Sequence, residues 1–198
     1  MMLVLASRSP RRRELLQAAG ILFRIVPPSR EDTGIAQTGR YADLVRRVAL
    51  AKAREVSARE RGLVLGADTI VVCEGEVMGK PAKADEAKRM LRKLSGRWHR
   101  VYTGVALVQG NRTLVDYERT EVAFRILSKQ QIDWYVATGE PMGKAGSYAI
   151  QGEGAALVRA IRGCYTNVIG LPLPKALGML ADFAELEKSA GRPRGSRR

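Results

Sequence analysis

Histidine and cysteine are nearly absent: the 198 residues include one histidine, His99, and two cysteines, Cys73 and Cys164. Two cysteines cannot build a disulfide framework or a cysteine-rich zinc site. Each sits among apolar neighbours, where a thiol in a reducing compartment serves as a small core side chain. A Ser-His-Asp triad could draw only on His99, and no nucleophile elbow accompanies it, so a structural role is expected there. No stretch approaches the ~18 apolar residues that a membrane helix needs. The first residues, MMLVLASRSPRRR, carry their basic cluster after a short apolar run, the reverse of a secretory leader, and a cytoplasmic location is expected. Walker-type loops and a GxGxxG after a strand are missing. So are RNP and zinc-finger signatures and any aromatic-rich patch, which leaves nucleic acid as a non-specific partner at most.

What is present is an ordinary soluble composition, 45% hydrophobic and 27% charged, with a strong excess of cations. Lys+Arg 34 against Asp+Glu 20 gives +14. The run Lys188 to Arg198 (KSAGRPRGSRR) holds five of those charges and no acid, so about +9 belongs to the rest. A single α/β domain is expected over residues 1–187, with a basic disordered tail at 188–198. The remaining charge suits an anionic partner, phosphates above all.

Period and punctuation alternate strands with helices. Residues 2–6 read as a buried strand, followed by a helix over 10–19 with Ser9 as its cap, Pro10 at its first position and Gly20 at its end. A strand over 21–26, a turn-rich loop from Pro27 to Gly39 and a helix over Tyr41–Glu60 follow. Leu63 to Cys73 is strand-like but broken by Asp68 and Thr69. A helix capped by Asp85 and stopped by Gly96 precedes a hairpin over 99–108 and 113–124. Ser128 and Gln131 form a capping box for a helix reaching Ala137. A glycine-rich loop, 139–154, leads to strands at 155–161 and 164–171, and a last helix opens at Pro174. This order means α/β with a mixed sheet.

Five places carry chemistry. The turn Ser7-Arg8-Ser9-Pro10-Arg11-Arg12-Arg13 joins a buried strand to a helix start, where free backbone N–H groups favour anions and guanidinium forks match phosphate oxygens. A solvated basic turn is the plainer reading, yet four arginines where the helix dipole disfavours cations suggest a compensating anion. Asp68-Thr69 lies inside an apolar run, where a carboxylate needs a lysine, an arginine or a metal; a strand end or bulge is the alternative. Lys52 shares the apolar stripe of its helix, either snorkelling or reaching inward. Lys80 sits in a constrained Gly-Lys-Pro turn, and Lys144 in a loop whose glycines allow close approach to a ligand. The same loop ends in Ile150-Gln151-Gly152, where an amide could read a base edge. Any metal would have oxygen ligands, hence Mg2+ or Mn2+ and not zinc.

These pieces in this order resemble the Maf family of nucleoside triphosphate pyrophosphatases. The matching segments are LASRSPRRRELL at 5–16, LGADTIVV at 65–72, GKP at 79–81, MLRKLSG at 90–96, GEPMGKAGSYAIQG at 139–152 and NVIGLPL at 167–173. The resemblance implies an elongated, twisted mixed sheet flanked by helices, in two lobes with a central cleft, and an enzyme of the inosine triphosphatase-like fold group. It implies hydrolysis of a nucleoside triphosphate to the monophosphate and pyrophosphate with a divalent metal, in a homodimer that clears unwanted nucleotides. By position, Asp68 matches the proton acceptor, and Arg11, Thr69 and Gln151 match positions associated with substrate choice. Ser7, Arg12, Lys52, Lys80 and Lys144 match polar positions that would bind phosphate, and Glu31 would join Asp68 at the metal.

Glutamine at 151 resembles the branch acting on dTTP and UTP; a glutamate there would indicate the branch acting on 7-methylguanosine triphosphate. The family often has an acid before the loop lysine, where this chain has Gly143. Two rivals remain at this point: a purine-directed or 7-methyl-GTP hydrolase of the same fold, and a nucleic-acid-binding division regulator with a vestigial phosphate pocket.

Overall fold

The computed structural model describes residues 2–29 and 41–190, with side chains to residue 185. Glu31 and most of the expected basic tail lie outside the described residues. Strand β1 (Leu3–Ala6) runs into helix α1 (Pro10–Ala18) and returns as β2 (Phe23–Ile25). Helix α2 (Tyr41–Ser57) leads to β3 (Val64–Cys73) and the short β4 (Glu76–Met78). Helix α3 (Ala84–Leu94), the hairpin β5 (Trp98–Gln109) and β6 (Arg112–Phe124), and α4 (Lys129–Ala137) follow. The chain closes with β7 (Val158–Arg162), α5 (Tyr165–Ile169) and α6 (Leu173–Ala190).

The seven strands form one mixed sheet in the order β2-β1-β3-β5-β6-β7, with β4 also on β3. β2, β1 and β3 are parallel, and β3, β5, β6 and β7 are successively antiparallel. One face packs on α2 through Val4, Ala49, Ala53, Val56 and Ala106. The opposite face holds the main core, where leucines of α1 and α3 meet Tyr135, Ile169 and Phe183 of the later helices. Each fully buried leucine of this kind contributes about 1.5–3 kcal/mol.

Two glycines decide how closely α2 approaches. A Cβ at Gly66 would lie 2.4 Å from the Ala49 carbonyl oxygen, and one at Gly104 would lie 2.1 Å from that of Val45. Bare backbone on β3 and β5 therefore lets the helix lie directly on the sheet.

Several expectations are corrected. β3 is continuous through Asp68 and Thr69, because the carboxylate finds a lysine and needs no bulge. β4, three residues after a two-residue turn, is too short to show a period. Ser9 occupies the N-cap position of α1 but makes no side-chain cap bond; its own N–H is taken by Ser7 Oγ at 3.1 Å. Lys83, not Asp85, precedes α3, and Asp85 lies in the first turn, where an acid complements the dipole. Residues 152–157 form a 3-10 turn before β7. The expected strand at 164–171 is α5 and its exit: Gly163 (φ +119) turns the chain off β7, and Gly170 (φ +129) ends the helix. A short apolar run has no period that separates strand from buried helix. The capping box at Ser128 and Gln131 forms as expected. α6 extends to Ala190, three residues into the segment expected to be tail. Among the described residues no helix is long and apolar enough to cross a membrane.

Candidate active site

The sheet has a gap, and the site lies in it. β1 pairs with Val64–Gly66 of β3, and β4 pairs with Val71–Cys73, with β5 running along the opposite side. Between these pairings Ala67–Ile70 has, among the described residues, no strand neighbour on that edge. The cleft opens there, a cavity of about 260 Å3 beyond the carboxyl end of β1. Crevices of this kind, where neighbouring strands part, are the usual ligand sites of open α/β sheets.

Among the described residues the wall carries Arg8, Arg11, Arg12, Lys52, Lys80 and Lys144, against one carboxylate, Asp68. Ser7, Ser9 and Thr69 add hydroxyls, and Val71, Val101, Tyr148 and Val168 supply apolar surface. The first turn of α1 forms part of the wall; Pro10 has no N–H and the Arg13 N–H donates to the Ser9 carbonyl at 3.4 Å, so of this turn only the Arg11 and Arg12 N–H groups lack an acceptor within the helix.

Asp68 and Thr69 face opposite sides of the sheet, as neighbours in a strand must. Asp68 lies on the α2 side, opposite Gly104 in register. Lys52 of α2 donates to its Oδ1 at 2.6 Å, with the two side chains only 12% and 17% exposed. Lys52 therefore reaches inward. Thr69 joins a network on the other side. Arg12 Nη2 donates to Thr69 Oγ1 at 3.0 Å, Arg12 Nε to the Gly170 carbonyl at 2.8 Å, and Arg12 Nη1 to Ser7 Oγ at 3.2 Å. Thr103 shares a hydrogen bond with Thr69 and donates to the Asn167 carbonyl. These three acceptors hold the buried Arg12 guanidinium in place at the cleft wall.

Lys80 and Lys144 come together through the backbone: the Gly146 N–H donates to the Gly79 carbonyl at 3.1 Å. Lys144 Nζ donates to the Glu140 carbonyl. Burial lowers the Lys144 pKa, and nearby Arg11 adds to that shift. Burial also lowers that of Arg11, opposed by Tyr135, Glu140 and Glu14. Clustered, partly desolvated cations raise the free energy of the empty cleft and favour an anion in it.

Gln151 is not on the wall. It stands exposed at the head of the 3-10 turn 152–157, three residues beyond the wall residue Tyr148. Of the described residues expected at the site, the structure thus brings Ser7, Arg11, Arg12, Lys52, Asp68, Thr69, Lys80 and Lys144 around one cavity. Gly170, Thr103 and Asn167, which brace Arg12 and Thr69, escaped the sequence reading, as did Gly66 and Gly104. A glycine inside a strand pattern signals close backbone approach, so the last two were discoverable.

His99 is structural, as expected. It is 2% exposed, bonds Tyr148 Oη through Nε2 at 2.8 Å, and meets Phe124 and Tyr148 edge to face. Burial lowers its pKa to about 4. The folded state thus prefers neutral imidazole, and between about pH 6.5 and 4 the unfolded chain binds more protons. Its contribution, about 3 kcal/mol at most, is complete above pH 6.5 and is lost as pH falls toward 4. His99→Gln should flatten this part of the stability profile. Chemical denaturation of both proteins from pH 7 to 4 checks it, and parallel profiles would refute it.

Among the described residues no group of three or more His, Cys, Asp and Glu could hold a metal alone. The oxygen-only donors of the cleft wall suit a hard cation.

Comparison with known proteins agrees with this arrangement. The family model described as "Maf-like protein" matches residues 2–183. The dTTP/UTP pyrophosphatase of Symbiobacterium thermophilum is 56% identical over 182 residues, 91% of this chain and 93% of that protein. That of Moorella thermoacetica is 56% identical over 184 residues, covering 91% and 94%. That of Bacillus cytotoxicus is 49% identical over 181 residues, covering 91% and 94%. A looser likeness links the chain to the crystal structure of a nucleoside-triphosphatase / dITP/XTP pyrophosphatase from Mycobacterium abscessus. Its TM-score is 0.45 at 17% identity, over 70% of this chain and 95% of that one. With a cationic cleft assembled from the segments that carried the resemblance, and a family model spanning nearly its whole length, the chain belongs to the Maf-like protein family.

Proposed function

We propose that this protein hydrolyses dTTP and UTP to the nucleoside monophosphate and pyrophosphate. The observation that carries the reading is the charge pattern of the cleft: among the described residues, six cations line it beside one carboxylate, Asp68, itself fixed by Lys52 at 2.6 Å. A triphosphate supplies the negative charge that such a wall lacks.

Water attacks the α-phosphorus, forming a new P–O bond while the bond to the bridging oxygen breaks and pyrophosphate leaves. Asp68 orients the water and accepts its proton. Lys52 holds that carboxylate in position. Ser7, Arg12, Lys80 and Lys144 bind phosphate oxygens and neutralise charge developing on the leaving group. Asp68 would also hold a divalent cation such as Mg2+, which characteristically takes one or two carboxylates and completes its shell with substrate phosphates and water; such an ion supplies Lewis-acid polarisation. Glu31, outside the described residues, is the second carboxylate expected there.

Arg11, Thr69 and Gln151 set substrate choice, Thr69 by holding Arg12. A glutamine amide donates and accepts at once, which matches the imide edge of thymine and uracil. A nucleotide panel with Mg2+, resolved by product, tests the reaction. Pyrophosphate is expected; orthophosphate with a nucleoside diphosphate would reject it. Gln151→Glu removes the donor and should lower kcat/KM for UTP relative to purine triphosphates by roughly tenfold or more. An unchanged ratio would remove Gln151 from base recognition.

A further inference from the structure

We infer that Glu140 is a positioning residue for base selectivity: its carboxylate holds the loop 149–154, and with it Gln151, against the Arg11 side of the cleft. The inference rests on the proposed function and deepens it. Gln151 makes no capping bond of its own and stands exposed. An exposed amide reads a base only if its backbone is held, and the holding groups converge on Glu140. Its Oε1 accepts from Tyr135 Oη at 2.7 Å and from the Gly154 N–H at 3.0 Å. Its Oε2 accepts from the Glu153 N–H at 3.1 Å. Tyr135, fully buried, accepts in turn from the Ala149 N–H at 3.0 Å. One carboxylate and one phenol thus tie down the chain on both sides of Gln151.

The two glycines that follow Gln151 are shaped to this anchor. Gly152, at φ +73, would place a Cβ 2.5 Å from Glu140 Oε2. Gly154 would place one 2.6 Å from Tyr135 Oη and 2.2 Å from the Ala149 carbonyl. Gly152 is favoured by its positive φ, and at Gly154 the backbone carbonyl of Ala149 leaves no room for a Cβ. The same carboxylate attracts Arg11 and Lys144 electrostatically, and the Glu140 carbonyl accepts from Lys144 Nζ. Glu140 therefore links the expected base-reading residues Arg11 and Gln151 without lying on the cavity wall itself.

Glu140→Gln tests this. The amide keeps the size and can still accept from Tyr135, but its NH2 cannot accept a backbone N–H, and the charge is lost. Steady-state hydrolysis of UTP and ATP by the full chain should show a UTP:ATP ratio of kcat/KM lowered about tenfold, the worth of one charge-assisted hydrogen bond. The change should appear mainly as a higher KM for UTP. Tyr135→Phe, which frees the Ala149 N–H, should move the ratio in the same direction and carries the test if Glu140→Gln does not fold. An unchanged ratio, or equal losses for both nucleotides in a folded variant, overturns the inference, since a merely structural residue lowers both together. Failure of the underlying reading is distinct: the unmodified protein would then release no pyrophosphate from any nucleotide.

Discussion

Replacing Asp68 with asparagine is expected to lower kcat for nucleoside triphosphate hydrolysis by about 10²–10⁴-fold, the usual contribution of a positioned general base. KM should stay within severalfold. The amide has nearly the same shape, and its oxygen can still accept from Lys52, which donates to Asp68 Oδ1 at 2.6 Å. What it cannot do is take a proton from water. The cations proposed to bind the phosphates belong to other elements: Arg12 to the start of α1, Lys80 and Lys144 to the turns beyond β4 and α4. Substrate binding therefore outlives the loss of turnover. Isothermal titration with a non-hydrolysable triphosphate, beside initial rates of pyrophosphate release, separates the two. A variant retaining more than about a third of the original kcat would take Asp68 out of the chemical step, because no general base is so dispensable.

The second large effect is on stability. Gly104→Ala should destabilise the protein by about 3 kcal/mol or more, at or beyond the upper end of overpacking costs. The added Cβ would meet the carbonyl oxygen of Val45 at 2.1 Å and its carbonyl carbon at 2.3 Å. Both are helix backbone, so no side chain can rotate away; α2 must lift from the sheet. Lys52 lies two turns further along that helix, and lifting it draws the ammonium away from Asp68. Activity should therefore fall together with stability. Gly178 of α6 is the control, since a Cβ there meets nothing within 4 Å. Gly178→Ala should be neutral or stabilise by up to about 1 kcal/mol through helix propensity. Urea unfolding of the three proteins checks both, and a Gly104→Ala protein within about 0.5 kcal/mol of the parent would show that α2 is not seated by that glycine.

Much of the fold was legible because its elements carry periodic or punctuated signals. The apolar run of β1, the Pro10 start of α1, the stripe of α2 and the capping box of α4 all appear where local chemistry places them. The failures share a cause. At α5 the apolar residues between Gly163 and Gly170 are too few to show a period. At Asp68 a charged residue inside an apolar run looked like an interruption, because the lysine that makes it tolerable lies sixteen residues away on another element.

The site divides in the same way. Residue types and their spacing singled out the arginine turn, Asp68-Thr69, Lys52, Lys80 and Lys144, each beside a plainer reading, and the family resemblance gave Arg11, Arg12, Lys52, Asp68, Thr69, Lys80 and Lys144 their expected roles. The direction of each group was not available from them. Arg12 could have faced solvent, yet it is buried against Gly170, more than a hundred and fifty positions later.

By itself the sequence determined the kind of protein: a cationic α/β chain with an oxygen-rich, cysteine-poor set of reactive groups, and which side chains could serve them. The tertiary structure alone decided that β1 and β4 leave a gap on one edge of β3, that two glycines seat α2 close enough for Lys52 to reach Asp68, and that Glu140 fastens the loop bearing Gln151. The reason is physical. Composition and period act within a few residues, whereas a hydrogen bond or steric contact between distant segments depends on where the packed chain has already brought them.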